Sequence, residues 1–262
     1  MYAIERIKLI KTYLEKHGQV QVQTLSSLLS VSEVTVRRDL ERLEAEGWLT
    51  RTHGGAVINR EAISDPLHEL LDEPDKDEKA NDIASVASRM IEDDDVIMLM
   101  NGPINRILAR LLEKRSNLTV LTNDVAVALA ISLQERNRAV LLGGEMDREE
   151  KAAFGSMALS NLRKYYVNKL FIELDGINEN LHLTVNSQNK ADLIEGAMEV
   201  TGETIAICSA SNFGKSAFFR LGPVKLVKKI ISSNTLDEEY KAGLFRSGIP
   251  LYTSAAAFEG TE

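Results

Sequence analysis

This chain is short of the groups that build disulfide frameworks, metal clusters and membrane spans. A single cysteine, Cys208, can close no intrachain disulfide, which fits a reducing compartment. The four histidines, His17, His53, His68 and His182, are scattered without ligand spacing, so neither a metal site nor a cofactor is expected. No stretch approaches the roughly 18 or more uninterrupted apolar residues of a membrane helix. The N-terminus reads as a charged amphipathic helix rather than a signal peptide. These absences lead to the expectation of a soluble, cytoplasmic protein with no membrane partner. With 44% hydrophobic and 27% charged residues over 262 positions, the composition is that of a globular chain of about two domains.

Positive charge is also scarce, and it is unevenly spread. The whole chain holds 31 Lys and Arg against 39 Asp and Glu, a net charge of −8. Residues 1–60 hold nine against seven, so +2, which leaves 22 against 32, or −10, for the remainder. An acidic body repelled by a polyanion and a mildly basic head would favour end-on docking by the head.

The head carries the most informative segment. Ser32 is placed to cap a helix running to about Glu46, where Gly47 stops it. Val36, Leu40 and Leu43 fall at i, i+4 and i+7 and form an apolar stripe, leaving Glu33, Thr35, Arg37, Arg38, Glu41 and Arg42 outward. A first helix is marked by Ile4, Ile7, Ile10 and Leu14, and a short second one by Leu25, Leu28 and Leu29, ending near Ser30-Val31. Three helices in that order, the last with a cationic start, give the helix-turn-helix layout, in which Arg pairs with guanine and Thr or Ser serves bases or phosphates. Val20 to Val22 and Trp48 to Thr52 are the strand-like stretches here. His53-Gly54-Gly55 supplies a turn after the second, so that the domain gains a wing carrying Arg51 and His53. An ordinary solvated helix with an Arg37–Glu41 pair, and a turn histidine bonded to backbone, are the bland alternatives.

Asn59 to Asp77, with Pro66, Pro74 and many acidic residues, reads as a linker, with a short helix around Leu67, Leu70 and Leu71 as an option. From Glu78 helical patterns alternate with six β-rich runs: Val96 to Met100, Leu118 to Thr122, Ala139 to Leu142, Leu170 to Leu174, Thr204 to Cys208 and Lys229 to Ser232. That alternation predicts an α/β domain, a doubly wound, mostly parallel Rossmann-like sheet with helices on both faces. The expected boundaries are 1–58 for a winged helix-turn-helix, 59–77 for a linker and 78–262 for a sensing and oligomerisation domain. Ligands of such sheets bind outside the carboxyl ends of the strands. The candidates are therefore Asn101, Gly102, Thr122, Asn123, Gly143, Gly144, Glu173, Asp175, Gly176, Ser209 and Asn212, with Lys215 and Lys151 on loops as cations. Each is also plain turn chemistry.

The head resembles the DeoR family of bacterial transcription regulators. The signature Val-Ser-x-x-Thr-(Ile/Val)-Arg-Arg-Asp-Leu is carried by Val31 to Leu40, followed by Leu43, Gly47, Arg51 and His53 to Ala56. The resemblance implies a sequence-specific regulator, a repressor of a metabolic operon, that binds double-stranded operator DNA through Ser32, Glu33, Thr35, Arg37, Arg38, Arg42, Arg51, His53 and Gly54. It implies no enzyme. One head reads too few bases, so a homodimer or homotetramer is expected.

Over the second domain the resemblance implies a fold similar to glucosamine-6-phosphate deaminase and ribose-5-phosphate isomerase. The effector it implies is a phosphorylated sugar or another anionic metabolite, with Asn189 and Lys190 added to the pocket residues above. Gly102, Thr122-Asn123, Gly143-Gly144, Asp175-Gly176-Ile177 and Phe213-Gly214 match the family's landmarks. Others depart from them. Gly102-Pro103-Ile104 stands where the family has Gly-Thr-Thr, Glu173-Leu174 where it has Gly-Ala, Ser209 to Asn212 where it has Asp-Ser-Ser-Lys, and Lys190 where it has Glu. Glu173 and Lys190 are expected to form an ion pair that partly fills the pocket, so that an ordinary phosphosugar is no longer read in the family's manner. The alternatives are a Glu173 that points into solvent and a body that serves only for oligomerisation or protein interaction.

Overall fold

The computed structural model describes residues 3–59 and 77–253. The chain divides into two compact units, residues 1–72 and 73–262. Most of the expected linker, including the helix option around Leu67, lies outside the described residues.

The first unit runs α1 (Ala3–His17), β1 (Gln19–Gln21), α2 (Val22–Leu29), α3 (Glu33–Ala45), β2 (Leu49–Thr52) and β3 (Gly55–Ile58). The start and stop of α3 follow the sequence signals. Ser32 Oγ accepts from the Thr35 N–H at 3.3 Å, and Gly47 leaves the helix at φ +79°. The stripe Val36, Leu40 and Leu43 is buried and meets Ile10, Leu14, Leu25, Leu29 and Leu49 in one core. Two expectations need correction. Leu28 is exposed, and Val22, read as strand, instead opens α2 and shares its buried face with Leu25 and Leu29. The head also has a third strand, β3, at the centre of an antiparallel β1-β3-β2 sheet. Gly55 must be glycine there, because a Cβ would collide with the Val20 carbonyl of β1.

The second unit is built on a seven-stranded sheet, parallel throughout. Its strands are β4 (Val96–Leu99), β5 (Thr119–Thr122), β6 (Arg138–Leu141), β9 (Val167–Glu173), β12 (Thr201–Ile207), β14 (Lys229–Ile231) and β15 (Leu251–Tyr252). The order β15-β14-β12-β9-β4-β5-β6 contains all six expected strands and adds β15 at one edge. Alternate residues face opposite layers. Ile97, Leu99, Phe171, Ile205 and Ile207 pack beneath α4 (Glu78–Ser88), α5 (Pro103–Leu111) and α6 (Val125–Ser132). Met98, Leu170, Ile172 and Ala206 pack against α7 (Ser156–Leu162) and α8 (Gln188–Glu199), and Leu244 of α9 (Glu238–Arg246) joins that cluster. Two antiparallel additions were not foreseen. They are a hairpin of β7 (Glu145–Asp147) and β8 (Ala152–Phe154), and a small sheet of β10 (Gly176–Ile177), β11 (His182–Val185) and β13 (Phe219–Pro223).

The chain leaves β4 toward β5 and β6 on one side and later builds β9, β12, β14 and β15 on the other. The switch point therefore lies between the carboxyl ends of β4 and β9, where such sheets open a crevice for ligands.

Candidate functional site

In the head, the first two turns of α3 carry the outward groups. Ser32, Glu33, Arg37 and Arg38 are exposed and Thr35 is half-buried. Arg37 lies 3.7 Å from Glu33, one turn back, rather than on Glu41. Arg38 has no ion-pair partner among the described residues, and Arg42 reaches Glu46 at 3.1 Å. Arg51 turns back to α3, with Glu41 at 2.6 Å and Glu44 at 3.3 Å, so it fastens β2 to the helix. His53 and Gly54 form the exposed tip of the β2–β3 turn, where a Cβ on Gly54 would meet open space. Arg37 and Gly54 both line one open groove of about 650 Å³.

Sequence reasoning passed over Asp39. It is buried and takes two hydrogen bonds from the Arg6 guanidinium, Nη2 to Oδ1 at 3.0 Å and Nε to Oδ2, tying α1 to α3. Its place directly after Arg37-Arg38 in an otherwise outward run was the available signal.

At the strand ends of the second unit, a buried polar row crosses the switch point. The Asn101 N–H donates to Asn123 Oδ1 at 3.0 Å, and Asn123 Nδ2 returns a bond to Asn101 Oδ1 at 3.1 Å. Thr122 Oγ1 accepts from the Asp124 N–H, and Asp124 caps α6 by accepting from Ala126 and Val127. The β7–β8 loop closes over this row. Asn101 Nδ2 donates to Glu150 Oε2 at 2.6 Å, while Arg106 on α5 donates to the Glu150 carbonyl at 2.7 Å and to Asp124 at 2.8 Å. Glu150 and Arg106 were both missed, Glu150 because its hairpin was not recognised.

Glu173 ends β9 and is buried. It lies two residues beyond Phe171 and so on the same, α5 side, and its Oε1 accepts from the Asn105 N–H. Asn105 in turn bridges β4 and β9 by donating Nδ2 to the carbonyls of Met100 and Phe171. The expected Glu173–Lys190 pair does not form: Lys190 reaches Asp175 at 3.3 Å instead. Asp175 also accepts from the Asn186 N–H at 2.7 Å, so the pair binds the end of β9 to the start of α8, the helix on the opposite face. The solvent-facing alternative for Glu173 also fails.

The structure thus brings Asn101, Gly102, Thr122, Asn123, Glu173, Asp175 and Lys190 to one stretch of the sheet's edge. Ser209 follows β12, the strand beside β9, where Ile207 pairs with Glu173, so it continues that stretch. Gly143 and Gly144 follow the edge strand β6, Asn189 lines a recess of about 170 Å³ with the β7–β8 hairpin, and Asn212 belongs to the turn after β12. Gly144 and Gly176 are needed for close packing, since a Cβ would strike the carbonyls of Phe154 and Lys215 respectively. The Lys215 side chain is exposed, and Lys151 is half-buried at φ +53° with its carbonyl accepting from Val125.

Burial dominates the site's titration. It pushes the Glu173 carboxyl up from 4.5 to about 7, against the pull of the Asn105 amide, Lys190, the Ile104 amide and Arg106. Asp124 is raised by the same cause, opposed by Arg106 and the cap amides. Burial, reinforced by Asp175, also raises the Cys208 thiol, which keeps it unreactive. Among the described residues, no group of three or more His, Cys, Asp and Glu could hold a metal ion. No helix among them is long and apolar enough to cross a membrane.

Residues 6–62 match the DeoR-like helix-turn-helix domain and residues 75–234 match the DeoR C terminal sensor domain. Bacillus subtilis HTH-type transcriptional regulator IolR is 28% identical, over 90% of this chain and 93% of its own length. HTH-type transcriptional repressor GlcR of the same organism is 27% identical, over 96% of each chain. Among solved structures, ribose 5-phosphate isomerase A of Methanocaldococcus jannaschii aligns over 51% of this chain and 53% of its own, at 15% identity and a TM-score of 0.38. With both its head and its sensor domain matched in order, the chain belongs to the DeoR family of DNA-binding transcription regulators.

Proposed function

We propose that this regulator is a repressor of an operon for sugar or related carbon metabolism, released from its operator when a sugar-like metabolite enters the cleft between β4 and β9. The observation that carries the DNA half is that the outward start of α3, with Arg37, and the Gly54 turn line one groove, on a helix anchored by a buried apolar stripe. In this reading Ser32, Thr35, Arg37 and Arg38 read bases and nearby phosphates, Arg42, His53 and Gly54 lie along the backbone, and Arg51 positions the wing. The effector half rests on the family's sensor domain and on buried polar groups gathered at the sheet's switch point. The head ends near residue 58, the sensing unit starts near residue 78, and the working form is a homodimer or homotetramer in the cytoplasm.

The reading is tested with the full chain. Operator fragments are selected from genomic DNA and titrated by fluorescence anisotropy against a panel of sugars and their derivatives. Release of a selected operator by one compound, and not by its isomers, is the expected result. A chain that selects no sequence, or one that no metabolite releases, overturns the corresponding half.

A further inference from the structure

The N-terminus of α5 follows β4 directly at the switch point, and its geometry is that of an anion seat. Gly102 precedes it at φ +155°, a conformation that side-chain-bearing residues rarely adopt, and Pro103 contributes no N–H. The first donors an incoming anion would meet are the amides of Ile104 and Asn105. In this chain both already act on a carboxyl group of the protein itself, that of Glu173, and the Asn105 amide is hydrogen-bonded to it. The same carboxyl group fills the space above Gly102, where even a Cβ would overlap it.

The surroundings favour this arrangement over an ion pair. Only 6% of Glu173 is accessible, and the two cations that act on it are paired elsewhere, Lys190 with Asp175 and Arg106 with Asp124. The side chain comes from β9 on the face that α5 covers, so no movement of the opposite layer is needed to hold it. Asp124 and Asp175 thus already engage the cleft's two cations, and Glu150 adds a further carboxylate at Asn101, so a second anion has little to attract it.

We propose that Glu173 is a specificity-determining internal occupant: its carboxyl group holds the seat at the start of α5 that an effector's phosphate would otherwise take. The cleft is thereby left to a ligand uncharged at that end, such as an unphosphorylated polyol. The regulatory meaning rests on the effector reading above, but the occupancy of the seat stands by itself. Either protonation state of the side chain fills the space, so exclusion is steric first and electrostatic second.

The test uses inorganic phosphate as the probe. Full-length wild type, Glu173→Gln and Glu173→Gly are unfolded thermally in phosphate and in sodium chloride of equal ionic strength. Phosphate stabilises folded proteins generally by exclusion, so the readout is the difference between variants. Wild type and Glu173→Gln should show the same small shift, and Glu173→Gly a further, saturable rise of several degrees. A saturable phosphate shift in wild type, or no extra shift in a folded Glu173→Gly, overturns the proposal. Should Glu173→Gly fail to fold, a wild-type crystal soaked in phosphate decides. Glu173 alone at the Asn105 amide supports the proposal, and an anion in its place overturns it. Phosphate entering the wild-type seat would leave metabolite control of DNA binding intact, and loss of that control would leave the seat measurement intact.

Discussion

Glu173 shows how far a single residue could be read. Its place where the family has Gly marked it for attention, as did Lys190 where the family has Glu, but their partners depended on which layer each belonged to. Counting alternate residues from Phe171 places Glu173 on the α5 face, while α8, which carries Lys190, packs on the other. The pairing was thus decided by the sheet's two sides, which only the assembled strand order makes visible. The burial of Glu173 has a measurable cost. Below pH 4.5 the group is protonated folded and unfolded alike. Between 4.5 and about 7 the unfolded chain ionises while the folded one keeps its proton, so stability falls as pH rises and levels off above 7. At about 1.4 kcal/mol per unit the loss is roughly 3 kcal/mol. Urea unfolding of wild type and Glu173→Gln at pH 5 and pH 8 checks this. The Gln variant should gain roughly 2–3 kcal/mol on wild type between the two, and parallel pH profiles would refute the assignment.

At the scale of elements, long periodic helices and strands with their own apolar alternation were legible, and short elements that depend on distant partners were not. β3 has only Gly55, Ala56, Val57 and Ile58, and its pairing with β1 joins residues nearly forty positions apart, as in Gln19 with Val57. The β7–β8 hairpin, made of Glu-Met-Asp and Ala-Ala-Phe, lacks β-rich composition, and with it went Glu150. In α3, neighbouring signature residues are expected to separate by function. Arg37→Ala and Arg38→Ala should each weaken operator binding by roughly 1–3 kcal/mol where they contact a base, with thermal stability unchanged. Asp39→Ala removes the charged hydrogen bonds that tie Arg6 of α1 to α3 and should destabilise the head by about 1.5–3 kcal/mol. Calorimetry and anisotropy on the same preparations distinguish the two classes. Full operator affinity in both Arg variants would remove α3 from the interface. A smaller loss is expected at the cap, where Ser32→Ala should cost about 0.5–2 kcal/mol of stability.

The whole molecule separates its two recognitions by charge, and that separation was visible in the residue counts before any fold was known. With the head at +2 and the body at −10, a polyanion is attracted to the head alone. Operator binding should therefore be steeply salt-dependent, because each phosphate neutralised releases counterions. A dimer making six to ten phosphate contacts would lose roughly 10³–10⁵ in affinity between 50 and 200 mM salt. The cleft should behave in the opposite way, since the Glu173 carboxyl group already fills the seat and an uncharged ligand displaces no counterion. Metabolite affinity, measured by calorimetry on the full chain, should change less than twofold over the same range. A metabolite whose binding weakens with salt as steeply as the operator's would instead be an anion held by surface lysines such as Lys215, and would place the effector outside the Glu173 seat.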